Sequence, residues 1–411
     1  MYVRKLGLLT SAFLLCAAAG AFAEDLPRVS PETAGISSAK LRGMKPVVQA
    51  MLDKKETAGV VIAVVRNGKM ADLEPFGLMD IEAAKPMQND AIFRIYSMSK
   101  PITSVAAMIL CEEGRFQLDE PVSKYLPELT GLRVHTGKGV ETVEAKREIT
   151  IRDLLRHTSG FTYGFFGNSP VDKLYKDNKV LDPNDSLADL VAKLGKLPLA
   201  YQPGTYFNYS VSTDVLGRLV EVVSGKPLDQ FFQERIFGPL DMKDTGFFVP
   251  DEKLSRFTAC YGPGEKGGLK VSDAPANSKY RKSPKLLSGG GGLVSTARDY
   301  CRFCEMMLEG GQLGGTRLLR EDTVQQMTAN QLPKEAMPIN LGGAPRPGVG
   351  FGLGFSVVTG SGEYGWGGAA STHFWIAPKQ KLAVVALQQY MPFHQRLEFA
   401  IKPIIYQAIE K

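Results

Sequence analysis

Ser97-Met98-Ser99-Lys100 places a hydroxyl and an amine three residues apart, just ahead of the apolar run "PITSVAAMIL". A serine hydroxyl is a weak nucleophile until a base takes its proton or a positive charge favours its alkoxide. At i, i+3 on a helix the two side chains share a face, so the amine can sit beside the hydroxyl. A serine at a helix N-terminus also meets the positive end of the helix dipole and free N–H groups. For Lys100 to accept a proton near neutral pH it needs burial or a neighbouring cation. Spacing alone does not single this pair out, because Ser37-Ser38-Ala39-Lys40 has the same form. That copy precedes a surface-type helix bearing Lys and Arg, where the amine stays protonated.

Two later stretches carry further polar or small residues at element boundaries. "YQPGTYFNYSVSTDVLGRLVEVV" puts Tyr209-Ser210 just before a helix with Leu216, Leu219, Val220 and Val223 on one side. "EYGWGGAASTHFWIAP" puts Trp366-Gly367-Gly368 ahead of a small-residue run entering a strand, where backbone can approach a substrate closely.

Other constellations are weaker. No G-x-S-x-G nucleophile elbow occurs. His135, His157, His373 and His394 form no H-E-x-x-H or similar spacing, so neither a metal nor a cofactor is expected. His157, in "RHTSGF", reads as a structural turn histidine and His373 as strand packing. The "GGGG" at 289–292 is followed by no G-K-[ST] and reads as a turn ahead of a helix.

The elements that must position these residues follow from periodicity. Leu41, Met44, Val48, Met51 and Leu52 predict a helix over 38–54. "GVVIAVV" predicts a strand ended by Asn67-Gly68, a two-residue hairpin turn, with its return near "KMADLEPFG". Ile102, Val105, Ala106, Ile109 and Leu110 predict a helix with one buried face, stopping at Gly114, with Pro101 in its first turn. Further helices are expected at 150–156, 186–195, 213–224 and 227–236, with irregular Gly-, Pro- and charge-rich stretches at 131–148, 161–185 and 261–287. "HFWIAP" and "KLAVVALQQ" predict a terminal hairpin before a last helix near 394–409. Strands at both chain ends imply an α+β fold, with one antiparallel sheet built from the two termini. Residues 24–115 plus 289–411 would form that sheet domain, and 116–288 a mostly helical insertion.

Composition narrows the setting. Arg4 and Lys5, an apolar stretch shorter than the ~20 residues that span a bilayer, and Ala21-Phe22-Ala23 read as a signal peptide over 1–23. The mature chain is then expected in the periplasm or outside the cell, with no stable membrane insertion. Hydrophobic content of 44% supports a sizeable core, and a net charge of +6 from scattered Lys and Arg suggests no nucleic-acid partner. Cys111, Cys260, Cys301 and Cys304 read as buried thiols; Cys301 and Cys304 lie in a helical pattern, and any disulfide among the four is left open.

Taken in order, Ser97–Lys100, Tyr209-Ser210-Val211 and Trp366-Gly367-Gly368 resemble the three motifs of the penicillin-binding, class C β-lactamase-like serine hydrolases. "RFQLDEPVSKYLPEL", "ITIRDLLRHTSGF", "RIFGPLDMKDTGF" and "GGGGLVSTARDY" also look like segments of that family. The resemblance implies Ser97 as acyl-accepting nucleophile, Lys100 and Tyr209 as its activating pair, and the backbone N–H groups of Ser97 and Ala369 as oxyanion hole. Two positions depart from the lactam-cleaving members: Val211 stands where they carry Asn, and Trp366 where they carry Lys. Trp-Gly-Gly with Tyr-Ser is more similar to the family VIII carboxylesterases. Trp366, Gly367 and Gly368 would then line the substrate pocket, although plain core packing is also open to Trp366. The expected substrate is a small-molecule ester. Amide hydrolysis of a β-lactam or D-amino-acid peptide on the same machinery, and a non-catalytic ligand-binding homologue, are the alternatives. Oligomeric state is not addressed by the sequence.

Overall fold

Gly59–Arg66 (β1) is apolar nearly throughout because both of its faces are covered. Val60, Ile62 and Val64 pack with Met44, Val48, Leu397 and Ile401 on one side. Val61, Ala63 and Val65 join the larger core on the other, which contains Ile102 and Val105. The computed structural model describes residues 26–410 except 140, 266, 342 and 343, so the predicted signal peptide lies outside the described residues.

Asn67 and Gly68, at φ 53° and 72°, make the expected tight turn into Lys69–Asp80 (β2), which is followed by the short Lys85–Pro86 (β3). The remaining strands of this sheet come from the far end of the chain: Val349–Phe351 (β4), Ser356–Val358 (β5), Tyr364–Gly368 (β6), Thr372–Ala377 (β7) and Leu382–Gln388 (β8). The order is β4-β5-β6-β7-β8-β1-β2-β3, and each neighbouring pair is antiparallel. Val60 faces Gln388 and Arg66 faces Leu382, so the two termini meet at the centre of the sheet. The α+β reading with a sheet built from both ends is therefore what the fold shows.

Met44–Asp53 (α1) and Arg396–Ala408 (α6) cover one face. Ser99–Glu112 (α2) and Ala297–Leu308 (α5) cover the other, and Leu187–Leu194 (α3) and Ser212–Ser224 (α4) pack beyond α2. Helix α2 differs from expectation: every residue from Ser99 to Leu110 is buried, not one face alone, because α4 packs on the side away from the sheet. Its buried hydroxyls are matched to the glycine-rich turn, with Thr103 Oγ1 donating to the Gly289 carbonyl at 2.7 Å and Leu293 N–H donating to Ser99 Oγ at 3.1 Å.

The helix predicted at 38–54 breaks at Arg42-Gly43 into Ser38–Leu41 and α1. Pro46 has no N–H with which to continue the bond to the Arg42 carbonyl. Within the stretch expected to be irregular at 161–185 lies a helix, Pro170–Asp177, started by a reciprocal capping box between Ser169 and Asp172. Cys260–Pro263 and Leu269–Asp273 likewise form a hairpin inside 261–287. Cys260, Cys301 and Cys304 are buried free thiols, while Cys111 is only half-buried. Among the described residues no helix is long and apolar enough to cross a membrane.

Candidate active site

Ser97 lies in a 3-10 turn, Tyr96–Met98, that runs straight into α2. Tyr96 holds φ at 40°, a left-handed conformation unusual for a bulky residue, and this turns the serine out of the preceding strand. The turn is pinned on several sides. Ile95 N–H donates to the Leu293 carbonyl at 3.0 Å, and Tyr300 Oη donates to the Met98 carbonyl at 2.8 Å. Arg94, wholly buried, donates through Nε to Asp273 at 2.6 Å and through a terminal nitrogen to the Thr258 carbonyl at 2.7 Å. Ser97 itself stays partly exposed.

Lys100 is 1% exposed, and its Nζ donates three hydrogen bonds: to Ser97 Oγ at 3.2 Å, to Tyr163 Oη at 2.8 Å and to the Gly290 carbonyl at 2.6 Å. Three donors is the full complement of an ammonium group. Tyr209 meets this cation through its ring face, with Nζ 4.5 Å from the centroid. Its hydroxyl oxygen accepts from Trp366 Nε1–H at 3.3 Å, and the two rings lie 5.3 Å apart. Trp366 thus packs against the core and contacts the tyrosine at once.

Behind the lysine sits Asp214, wholly buried in the first turn of α4. Its Oδ1 accepts from Gly290 N–H at 3.1 Å and from the Ser288 hydroxyl, while Oδ2 has no hydrogen-bond partner among the described residues. Burial pushes this carboxyl above its usual range, against the pull of Lys100. Burial likewise lifts the Tyr163 phenol well above its ordinary value, helped by Tyr209 and Asp214. A side chain at Gly290 would place Cβ 2.6 Å from Asp214 Oδ2 and 3.0 Å from Tyr163 Oη, so this position requires glycine.

The end of β6 closes the arrangement. Gly368 lies so near the Ile95 carbonyl that a Cβ there would collide with it, which brings the backbone leading into Ala369 up to the Ser97 turn. Gly367 pairs with His373 across the β6–β7 ladder. Ser97 in its 3-10 turn, Lys100 in the first turn of α2, Tyr209 in the segment just before α4 and Trp366 to Gly368 in β6 thus lie around one place.

The competing S-x-x-K is a helix cap: Ser37 Oγ accepts from Lys40 N–H at 3.4 Å, and Lys40 is exposed. His157 is buried against Tyr209, ring centroids 4.9 Å apart, with Nδ1 3.5 Å from Ser210 Oγ. Burial, then Lys100, keep its imidazole well below the usual pKa. His373 pairs with Glu398 of α6 at 3.0 Å, away from Ser97. Sequence reasoning did not pick out Tyr163, Asp214 or the Gly290 carbonyl. Tyr163 follows the "HTSGF" segment without any spacing signal, and an acid in a helix's first turn is too ordinary to attract notice.

Residues 44–405 match the beta-lactamase family. The chain belongs to that family. Among relatives of this beta-lactamase-family chain, protein Rv1367c of Mycobacterium tuberculosis (strain ATCC 25618 / H37Rv) is 36% identical over 370 residues, covering 86% of this chain and 90% of the relative. Esterase EstB of Burkholderia gladioli is 30% identical over 294 residues, covering 67% and 72%. The solved structure of EstCE1, described as a hydrolase with promiscuous acyltransferase activity, superposes with a TM-score of 0.76 at 25% identity, covering 90% of this chain and 99% of that one. Esterases and acyltransferases among its relatives support serine hydrolase activity for this beta-lactamase-family chain.

Proposed function

We propose that the protein is an exported serine carboxylesterase that cleaves small-molecule esters through an acyl-enzyme on Ser97. The observation that carries this reading is the contact of Ser97 Oγ with a buried, fully engaged Lys100 ammonium, packed under the face of Tyr209. An ammonium with its three N–H groups engaged has no lone pair to offer, which favours Tyr209, as tyrosinate beside that cation, as the group that takes the serine proton and becomes the neutral phenol. Lys100 then supplies positive charge beside the developing alkoxide. Serine attack on the ester carbonyl gives a tetrahedral oxyanion held by the N–H groups of Ser97 and Ala369. Collapse expels the alcohol, which regains the proton, and water attacks the acyl-enzyme by the same route in reverse.

What the site lacks favours an ester over an amide substrate. Val211 is wholly buried in the core and offers no amide to a lactam or peptide, and Trp366 offers an apolar ring in place of a carboxylate-binding amine. An alcohol admitted in place of water would yield acyl transfer, the activity that several relatives' names carry. Export rests on the Arg4-Lys5 start and the Ala21-Phe22-Ala23 site.

Purified wild type and Ser97→Ala are to be compared on a C4 aryl ester, a cephalosporin and a D-Ala-D-Ala peptide. Ester turnover that vanishes in the variant is expected. Undiminished turnover would remove Ser97 from the mechanism, and a kcat/KM more than about tenfold higher on the two amides would replace the esterase reading with the amidase one.

A further inference from the structure

Five aromatic rings form one continuous chain of contacts leading from the Ser97–Lys100 arrangement to solvent. Trp366 meets Tyr209 at 5.3 Å, Tyr209 meets Phe166 at 5.8 Å, Phe166 meets Phe165 at 4.5 Å, and Phe165 meets Tyr163 at 5.0 Å between centroids. Three of these rings belong to the Ser97–Lys100 arrangement. Phe165 and Phe166 take no part in it, yet they are 58% and 66% exposed. Two adjacent phenyl groups held in water forgo the burial that any core position offers, and an exposed apolar patch of this kind marks a place where something binds. Their neighbours are the rings of the reacting centre, so whatever covers them also lies against that centre.

A cavity of about 430 Å³ starts at the same place. Its lining includes Tyr163, Phe165, Tyr175, Val180 and Leu181, with Lys176 among the charged residues. Its volume lies within the range that holds drug-sized groups. Rings meeting at tilted angles 4.5 to 5.8 Å apart leave edges and faces suited to a further planar ring, whereas an alkyl chain gains contact area alone.

We propose that Phe165 and Phe166 form an aromatic subsite that selects esters carrying a planar ring system, and that the cavity behind Phe165 accepts the outer part of that group. This subsite rests on the esterase reading of Ser97 and adds the substrate class to it.

The test uses the mature wild-type protein and four variants: Phe165→Ala, Phe166→Ala, Phe166→Leu and Phe166→Tyr. Two ester pairs present the ring on either side of the scissile bond: ethyl 2-naphthylacetate against ethyl butyrate, and 2-naphthylmethyl acetate against butyl acetate. In at least one pair the Ala and Leu variants are expected to lower kcat/KM for the naphthyl member about tenfold, leave the alkyl member within about twofold, and be matched to wild type by Phe166→Tyr. Equal loss on both members, or no loss on the naphthyl member, overturns the subsite; the latter is what a macromolecular docking role for these rings would give. Fluorophosphonate labelling of Ser97, followed by intact mass, reports separately on the centre. A wild type that labels and cleaves the alkyl esters without ring selectivity refutes the subsite alone. One that neither labels nor cleaves any ester refutes the esterase reading, and the subsite falls with it.

Discussion

Lys100 Nζ donates a 2.6 Å hydrogen bond to the carbonyl oxygen of Gly290, a residue 190 positions away in the chain. The glycine-rich stretch that read only as a turn ahead of a helix is thus part of the lysine's own setting. It fixes one of the three ammonium protons, leaving the others for Tyr163 and Ser97.

That contact makes Gly290→Ala the sharpest backbone test. The added methyl would press on Asp214 Oδ2 at 2.6 Å and Tyr163 Oη at 3.0 Å, so the turn or the lysine must move. Steady-state kinetics on a short-chain ester should show kcat/KM down by roughly 100-fold, because small displacements of a reacting group cost about that much. Near-wild-type activity would mean that the turn does not position Lys100.

Tyr163→Phe keeps the ring and removes the oxygen that accepts from Lys100. One ammonium proton is then left unpaired in a buried site, a loss of about 1–3 kcal/mol. The expected result is a drop of about tenfold or more in kcat with KM little changed, since the ring wall is intact. An unchanged kcat would show that the Tyr163 hydroxyl is dispensable for holding the lysine.

Trp366→Phe retains an aromatic wall but deletes the Nε1–H that reaches Tyr209 Oη at 3.3 Å. To take the serine proton Tyr209 must first be a tyrosinate, and a donor to its oxygen favours that charged form. Loss of about tenfold in kcat/KM, carried by kcat, is therefore expected from stopped-flow or steady-state assays. If KM rises while kcat holds, the tryptophan contributes only apolar pocket surface.

Glu305 is buried on α5, with the Gly68 backbone against its carboxyl group. Burial, with Glu309 adding to it, lifts its pKa from 4.5 to about 7. The folded state then binds more protons than the unfolded chain between those values, so stability is retained below pH 4.5 and falls as pH rises to about 7. The full span is worth about 3 kcal/mol. Urea unfolding at pH 5 and pH 8 should show a smaller loss for Glu305→Gln than for the wild type; parallel losses would mean that this carboxyl does not titrate in that window.

Much of the fold was legible because local rules and tertiary packing agree there. The β1 run and its Asn67-Gly68 turn, the Ser99–Glu112 helix ended by Gly114, and the closing hairpin of β7 and β8 occur where the pattern put them. Elsewhere a local feature overrode the pattern. Pro46 divided the first helix, and the Ser169–Asp172 capping box was hidden in a charged stretch read as irregular. Helix α2 looked amphipathic because Ser99, Thr103 and Ser104 are polar, yet they are buried on partners that only the folded chain supplies.

By itself the sequence determined which residues could react and in what order along the chain: Ser97, Lys100, Tyr209 and the Trp366-Gly367-Gly368 run. Side-chain chemistry and the periodicity of the flanking elements suffice for that. Context already separated the two S-x-x-K copies; the tertiary structure adds that Lys100 is buried while Lys40 lies in water. It also decided that Gly290, Tyr163 and Asp214 complete the lysine's surroundings. Those three come from separate parts of the chain, and no local pattern encodes a contact whose partners meet only when the helices pack.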